Sequence, residues 1–138
     1  MQATTDHELD ARLAADTVPV LDLPLSRLLL MNDRRWPWLI LVPRRAGIVE
    51  LFDLAQEDRH QLDREACEVA QALKTLTGAE KMNVATLGNS VRQFHLHVVA
   101  RRTDDPNWPR PVWGFGEREP YAPSEAEALR ARLLESLS

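Results

Sequence analysis

Two histidines, His95 and His97, are separated by a single residue in the C-terminal half of this chain. Residues 92–100 alternate between two sets of side chains, and this period of two predicts a β-strand. Side chains at i and i+2 of a strand lie on one face, roughly 6.5–7 Å apart, so Gln93 and both imidazoles should share a face. Imidazole is largely neutral and nucleophilic at neutral pH. The spacing therefore predicts a site where two rings address one phosphate-sized group.

A glycine-led turn, Gly88-Asn89-Ser90, lies just upstream of the predicted strand. Its backbone N–H groups and the Ser90 hydroxyl could bind an anion. Residues 81–113 carry five basic side chains against two acidic ones, whereas the whole chain of 138 residues has a formal net charge of −4. The local charge favours a small phosphorylated ligand, and the overall acidity argues against general nucleic-acid binding.

Apolar runs along the chain indicate the strands that would hold this site in a sheet. Three short runs bounded by proline or polar residues predict strands in the N-terminal third, and a fourth is predicted before the glycine-led turn. These strands lie at about residues 19–22, 28–31, 39–42 and 81–87. The histidine strand would be the fifth.

One long helix and two terminal helices complete the predicted elements. Residues 57–77 have helical spacing of apolar side chains, and Gly78 is a typical stop, so this helix should cover one face of the sheet. Thr5 and Glu8 form a potential capping box for a short helix that ends near residue 15. A second apolar stripe predicts a C-terminal helix over about residues 124–137.

Length and composition are those of one globular domain over residues 1–138, with a core at about 18–114. The single Cys67 cannot form an internal disulfide, which fits a reducing compartment. The N-terminus is polar and acidic, unlike a signal peptide, and no apolar run reaches the ~20 residues of a membrane span. We therefore expect a cytoplasmic protein that does not associate with membranes.

The segment that carries the histidines resembles the signature of the histidine triad (HIT) superfamily, whose core is His-x-His-x-His followed by two apolar residues. Here the segment is Gly88-Asn89-Ser90-Val91-Arg92-Gln93-Phe94-His95-Leu96-His97-Val98-Val99. Gln93 replaces the first histidine of the signature. Weaker resemblance extends upstream through residues 28–32 and 39–45. The resemblance implies an α+β fold with an antiparallel sheet of about five strands, one long helix across it and helices at both ends.

The resemblance also implies an activity. In the family the middle histidine, here His95, attacks the α-phosphate of a nucleotide, without a metal or other cofactor. His97 would hydrogen-bond the phosphate or protonate the departing group, beside Gln93 at the first position of the triad. Implied substrates are nucleoside phosphoramidates, dinucleoside polyphosphates and related nucleotide conjugates. A homodimer is implied as well.

Five further positions complete the predicted substrate-binding set. By the resemblance, Asn32 would hydrogen-bond the ribose hydroxyls, although an asparagine there could equally start a turn. Asn83, on the neighbouring strand, is a further candidate for this set. The turn Gly88-Asn89-Ser90 would offset the charge of the phosphate oxygens. The flanking tryptophans Trp36 and Trp38 are either a wall for a base or packing residues.

Other interpretations of the histidine pair stay open from the sequence. The site could bind a nucleotide without turnover, because the Gln93 amide neither carries charge nor relays a proton. The pair could supply two ligands to a metal ion, although zinc generally takes three or four protein ligands. Both histidines could also be core residues satisfied by neighbours.

Overall fold

The structure, a computed structural model, describes residues 8–138, and these residues form five β-strands and three α-helices. The strands are β1 (Thr17–Asp22), β2 (Ser26–Met31), β3 (Trp38–Pro43), β4 (Lys81–Ala85) and β5 (Leu96–Arg101). The helices are α1 (Ala11–Asp16), α2 (Gln56–Thr77) and α3 (Pro123–Leu137), with a short 3-10 turn at Leu51–Asp53. None of the helices within residues 8–138 is long and apolar enough to cross a membrane.

All five strands form one antiparallel sheet in the order β1-β2-β3-β5-β4. Strand β5 lies between β3 and β4, and His97 is opposite Ile40 on one side and Ala85 on the other. Pro19 is tolerated in β1 because β1 is an edge strand. The predicted α+β fold, with five antiparallel strands and one long helix, is confirmed.

The two faces of the sheet bury different cores. Val98 and Ala100 of β5 point into a large core that includes Val69 of α2 and Leu133 of α3. Val99 points the other way, into a smaller core with two tryptophans and Leu13 of α1. The alternation of β5 therefore directs His97, which shares the face of Val99, away from the long helix.

Helix α2 has the bounds that its apolar spacing predicts, and Gly78 ends it in the left-handed conformation with φ +69°. Its buried Glu65 fastens the helix to the sheet. The carboxylate of Glu65 accepts hydrogen bonds from the backbone N–H of Leu25 at 2.7 Å and of Ser26 at 3.1 Å. Both donors lie at the entrance to β2, so α2 is held in register with the β1–β2 hairpin.

Several predicted boundaries differ from the structure: β1 and β2 each begin two residues earlier than predicted, β4 ends two residues earlier, and the histidine strand and the N-terminal helix differ as well. The histidine strand begins at Leu96 and not at residue 92, because β4 ends at Ala85, opposite His97, and offers no partner beyond it. At the N-terminus, Asp10 caps α1 by accepting from the backbone N–H of Arg12 at 2.8 Å. The Thr5 half of the predicted capping box lies outside the described residues.

Candidate active site

The two histidine rings lie against each other in one buried pair. His95 is 6% exposed and His97 is 5% exposed. Their ring centroids are 4.9 Å apart at an interplanar angle of 70°. His95 precedes the first residue of β5, yet its ring remains on the side that alternation predicts. The backbone carbonyl of His95 accepts from the Thr86 hydroxyl at 2.8 Å, which fixes this residue where the ladder has ended.

The tautomer of His95 follows from its hydrogen bond. Its Nδ1 lies 2.7 Å from the backbone carbonyl oxygen of Gln93. A carbonyl oxygen can only accept, so Nδ1 carries the proton and donates. The lone pair on Nε2 is then available, which is the arrangement that a nucleophilic imidazole needs.

His97 has the opposite tautomer, because its partner is a donor. The Trp38 indole N–H lies 3.0 Å from His97 Nδ1. Since an indole nitrogen donates only, Nδ1 of His97 accepts and its proton resides on Nε2. The pKa of His97 is lowered to about 3. Burial is the larger cause, and electrostatic repulsion by His95 is the smaller one. His97 is therefore a neutral hydrogen-bond donor at neutral pH.

A cavity of about 350 Å³ contains both histidines and the predicted anion-binding turn. The turn residues Gly88, Asn89 and Ser90 all line it, and Gly88 has a φ of +75° that favours glycine. The volume is in the range of small-molecule sites. A separate groove of about 480 Å³ is lined by Gln93 and contains no histidine. The histidine cavity is the one in which the predicted chemistry can occur.

Three predicted site residues do not line the histidine cavity. The side chain of Gln93 turns to the N-terminal segment, where it bonds the backbone of Glu8 and Asp10. The Asn32 side-chain oxygen accepts from the backbone N–H of Tyr121 at 2.9 Å. Asn83 has its side-chain oxygen bonded to Arg101 at 3.0 Å.

The physical reason differs among the three. Gln93 lies at a bend before β5, so the alternation of the strand does not extend to it. Asn83 is on the histidine face of β4, since it is opposite Val99, but it lies beside a buried guanidinium that requires acceptors. Asn32 follows the last residue of β2, where the returning C-terminal segment supplies a backbone donor.

Other residues that line the cavity could not be assigned to it from sequence. Helix α1 contributes Arg12, Leu13 and Asp16, and the end of β2 contributes Met31. The Asp10 cap is a sequence signal for a helix at this point, but it carries no information about what the helix covers. Only the packing of α1 against the smaller core places these side chains at the site.

Two tryptophans form the remaining wall. Trp38 and Trp113 both line the cavity, with ring centroids 6.1 Å apart in an edge-to-face contact. The Trp113 ring lies 5.1 Å from that of His97. Trp36, by contrast, is fully buried and packs beneath Trp38 with the Arg35 guanidinium over its ring. Of the two tryptophans that flank Pro37, only Trp38 borders the histidines.

The described residues offer no grouping suited to a metal ion. Within residues 8–138 no three His, Cys, Asp or Glu side chains lie together as a metal site would require. The hydrogen bond from Trp38 also occupies Nδ1 of His97. The arrangement is one of a free imidazole lone pair on His95 and an N–H donor on His97, facing a turn with several potential anion donors.

Comparison with known proteins identifies the family of this chain and solved structures of the same fold. A model of the HIT domain family matches residues 12–104. A histidine triad protein from Sinorhizobium meliloti is 55% identical, with a TM-score of 0.93 over 94% of this chain and 96% of that one. A histidine triad protein from Bradyrhizobium japonicum is 43% identical, with a TM-score of 0.93 over 95% and 98%. A third, from Marinobacter aquaeolei, is 44% identical, with a TM-score of 0.91 over 95% and 98%. A search of curated proteins finds no match.

Proposed function

Because this chain belongs to the HIT domain family, we propose that it binds a nucleotide and hydrolyses or transfers it at the α-phosphate, with His95 as the nucleophile. The observation that carries the proposal is the pair of complementary tautomers in one cavity. His95 has a free Nε2 lone pair, and His97 has an Nε2–H. The centroids of the two rings are 4.9 Å apart. Such a pair can attack a phosphoryl group and hold its oxygens at the same time.

In the proposed reaction, Nε2 of His95 forms a bond to phosphorus while the bond to the leaving group breaks and its electron pair departs with that group. The resulting ring is cationic, and the Gln93 carbonyl, 2.7 Å from Nδ1, accepts the hydrogen bond that stabilises it. Water then attacks phosphorus while the bond from phosphorus to Nε2 breaks and its electron pair returns to the ring. A proton from the water passes to solvent, which leaves the nucleoside monophosphate and neutral His95. An acceptor alcohol or phosphate in place of water gives the transferase reaction.

His97 and the turn would stabilise charge rather than transfer protons. Neutral His97 donates Nε2–H to a phosphoryl or bridging oxygen, but cannot give up that proton readily, because the indole N–H of Trp38 already occupies Nδ1. The Ser90 hydroxyl and the turn amides would hold the non-bridging oxygens. Any proton needed by the leaving group comes from solvent. Nucleoside phosphoramidates and dinucleoside polyphosphates are the proposed substrates.

A specific observation favours a second candidate, a nucleotide-binding module with little or no turnover. Neither of the two triad positions that flank His95 supplies a proton relay here. The Gln93 amide is bonded to the N-terminal segment, and His97 stays neutral. Leaving groups that require protonation would then depart slowly.

The experiment that separates these candidates follows AMP release from adenosine 5′-phosphoramidate and from diadenosine polyphosphate. The wild type should release AMP, and His95→Ala should not. His60→Ala, at an exposed histidine of α2, is the matched control and should behave as the wild type. Rapid quenching followed by mass spectrometry should find a nucleotidyl adduct on His95. Binding of AMP with no release from either substrate would support the binding module and contradict the enzyme.

We also propose that the protein is a homodimer. Strand β4 is an edge of the sheet, and two apolar side chains at this edge, Val84 and Leu87, are 50% and 44% exposed. Exposed apolar edges of this kind are typical of surfaces that pair with another chain. The molar mass in solution, measured by light scattering, tests this. Val84→Lys should yield a monomer if the edge is the interface, and a monomeric wild type would contradict the proposal.

A further inference from the structure

Gln93 makes both of its side-chain hydrogen bonds with the N-terminal segment. Its Oε1 accepts from the backbone N–H of Asp10 at 2.7 Å, and its Nε2 donates to the backbone carbonyl of Glu8 at 3.0 Å. The amide therefore pairs with two backbone groups of opposite character, so that both of its ends are satisfied. Asp10 and Gln93 are 83 residues apart in sequence, so their hydrogen bond is a tertiary contact.

Asp10 connects this contact to the histidine cavity. Its carboxylate caps α1, and its carbonyl accepts from Ala14, so the position of Asp10 sets the position of the helix. Two residues of α1 one turn apart, Arg12 and Asp16, line the cavity together with both histidines. The Gln93 side chain itself lines the separate groove of about 480 Å³ and does not line the histidine cavity.

We propose that Gln93 is a positioning residue: its amide holds residues 8–10 in place and thereby fixes α1 as the wall that contacts the substrate beyond its reacting phosphoryl group. The inference deepens the proposed function and rests on it, because it identifies what that wall does to a bound nucleotide. In this arrangement the Gln93 side chain takes no part in the chemistry at phosphorus, and only its backbone carbonyl contacts His95.

Arg12 is the group of this wall best suited to contact substrate. Asp16 already forms an ion pair with Arg118 at 2.7 Å. Within residues 8–138, the Arg12 guanidinium has neither an ion-pair partner nor a hydrogen bond, and the backbone N–H of Arg12 is bonded to Asp10. Its guanidinium is a planar set of donors, so it would bind acceptor atoms of the substrate, which are either ring nitrogens and carbonyls of a base or oxygens of a second phosphate.

The first test separates positioning from catalysis by steady-state kinetics. Losing both Gln93 bonds in Gln93→Ala should raise KM about tenfold and leave kcat within about twofold, since uniform binding energy is lost. Gln71→Ala, at an exposed glutamine of α2, is the matched control and should change neither constant. A fall in kcat at constant KM would show that Gln93 acts in the chemical step, and would overturn the inference.

The second test asks whether Gln93 acts through α1. Arg12→Ala should raise KM in the same way, and the double variant should be no worse than Arg12→Ala alone. If the effects of Gln93→Ala and Arg12→Ala on KM add fully in the double variant, Gln93 does not act through Arg12. Arg64→Ala, at an exposed arginine of α2, controls for the lost charge. In the protein without ligand, backbone amides of residues 11–16 should exchange faster in Gln93→Ala than in Gln71→Ala, and equal exchange would overturn the inference.

Failure of the proposed function is distinguishable from failure of this inference. If no variant shows turnover, the Kd of AMP decides, because positioning predicts about tenfold weaker binding by Gln93→Ala and an unchanged Kd contradicts it. If the wild type does not bind AMP, the proposed function fails and the exchange of residues 11–16 alone decides.

Two further ligands identify what Arg12 binds. An effect of Arg12→Ala on AMP that is absent for ribose 5-phosphate assigns the guanidinium to the base. A larger effect on ADP than on AMP assigns it to a second phosphate. Equal Kd values of Arg12→Ala and wild type for all three ligands would overturn the role of Arg12.

Discussion

The indole N–H of Trp38 donates a hydrogen bond of 3.0 Å to Nδ1 of His97. The register of the sheet makes this contact possible. Trp38 of β3 is opposite Val99, so His97 is its diagonal neighbour on the same face, a spacing that large aromatic side chains can bridge. The bond decides which nitrogen of His97 carries the proton, and hence whether the cavity presents a donor or an acceptor at this point.

Replacing Trp38 by phenylalanine should therefore change the tautomer of His97 while keeping an aromatic ring in place. Without the indole donor, the proton can reside on Nδ1, and Nε2 would then repel phosphate oxygens. We expect kcat to fall about tenfold, the equivalent of one hydrogen bond. The ¹⁵N chemical shifts of the His97 ring report the tautomer directly. Trp36→Phe, which alters the neighbouring buried indole, should leave those shifts unchanged, and identical shifts in Trp38→Phe would contradict the assignment.

The lowered pKa of His97 predicts a pH dependence of stability. Below pH 6.5 the unfolded chain binds a proton at this residue that the folded protein does not bind until about pH 3. Protonation of His97 therefore has no effect on the free energy of unfolding above pH 6.5. As pH falls from 6.5 towards 3, it lowers that free energy by up to about 1.4 kcal/mol per pH unit. Urea denaturation of His97→Asn should show a shallower decline between pH 6 and 4. The two proteins should have parallel profiles above pH 7, and equal slopes at acid pH would contradict the prediction.

Asp105 and Arg101 form a buried ion pair of 2.7 Å, with side chains 7% and 1% exposed. Asp105→Asn should destabilise the protein by about 3–5 kcal/mol, because it leaves the Arg101 charge buried and unpaired. Asp104→Asn removes the neighbouring ion pair with Arg102, whose side chains are 76% and 52% exposed, and should change stability by less than about 1 kcal/mol. Denaturant titration of both variants measures the difference. Equal effects would mean that burial does not govern these pairs.

The same ion pair has a signature at low pH. Although burial raises the pKa of Asp105, hydrogen bonds, chiefly from the Arg101 side chain, lower it to about 2, against an ordinary value of 3.8. Its stabilising contribution is present above about pH 4 and is lost as pH falls through 2. Thermal unfolding between pH 5 and 2 should show that Asp105→Asn lacks this acid-dependent loss. A melting temperature of the wild type that does not change between pH 5 and 2 would refute the predicted loss of stability on protonation of Asp105.

Glu65 should be essential for docking α2, since its carboxylate accepts from two buried backbone N–H groups at the turn into β2. Glu65→Ala leaves both buried donors unsatisfied, and we expect a loss of about 2–4 kcal/mol. Glu68→Ala, at an exposed site on the same helix, should have little effect. Denaturant titration compares the two. A loss in Glu65→Ala no larger than that in Glu68→Ala would show that these bonds do not hold the helix.

Much of the fold follows from local pattern. The spacing of residues 57–77 and the stop at Gly78 predict α2 correctly, and the period of two places His95 and His97 on one side of the sheet. The glycine-led turn lies beside them because it is close in sequence. These features depend on residues only a few positions apart, so the covalent geometry of the chain is enough to relate them.

The remainder of the site was decided by tertiary structure. Trp38 meets His97 across 59 residues, and Gln93 meets Asp10 across 83, so both contacts depend on strand order and register. The side-chain oxygens of Asn32 and Asn83 likewise bond groups distant in sequence. Asn32 accepts from the backbone N–H of Tyr121, and Asn83 accepts from the Arg101 guanidinium. Alternation assigns a side chain to a face of a strand. Which of several donors and acceptors that side chain then pairs with is settled only when distant segments pack together.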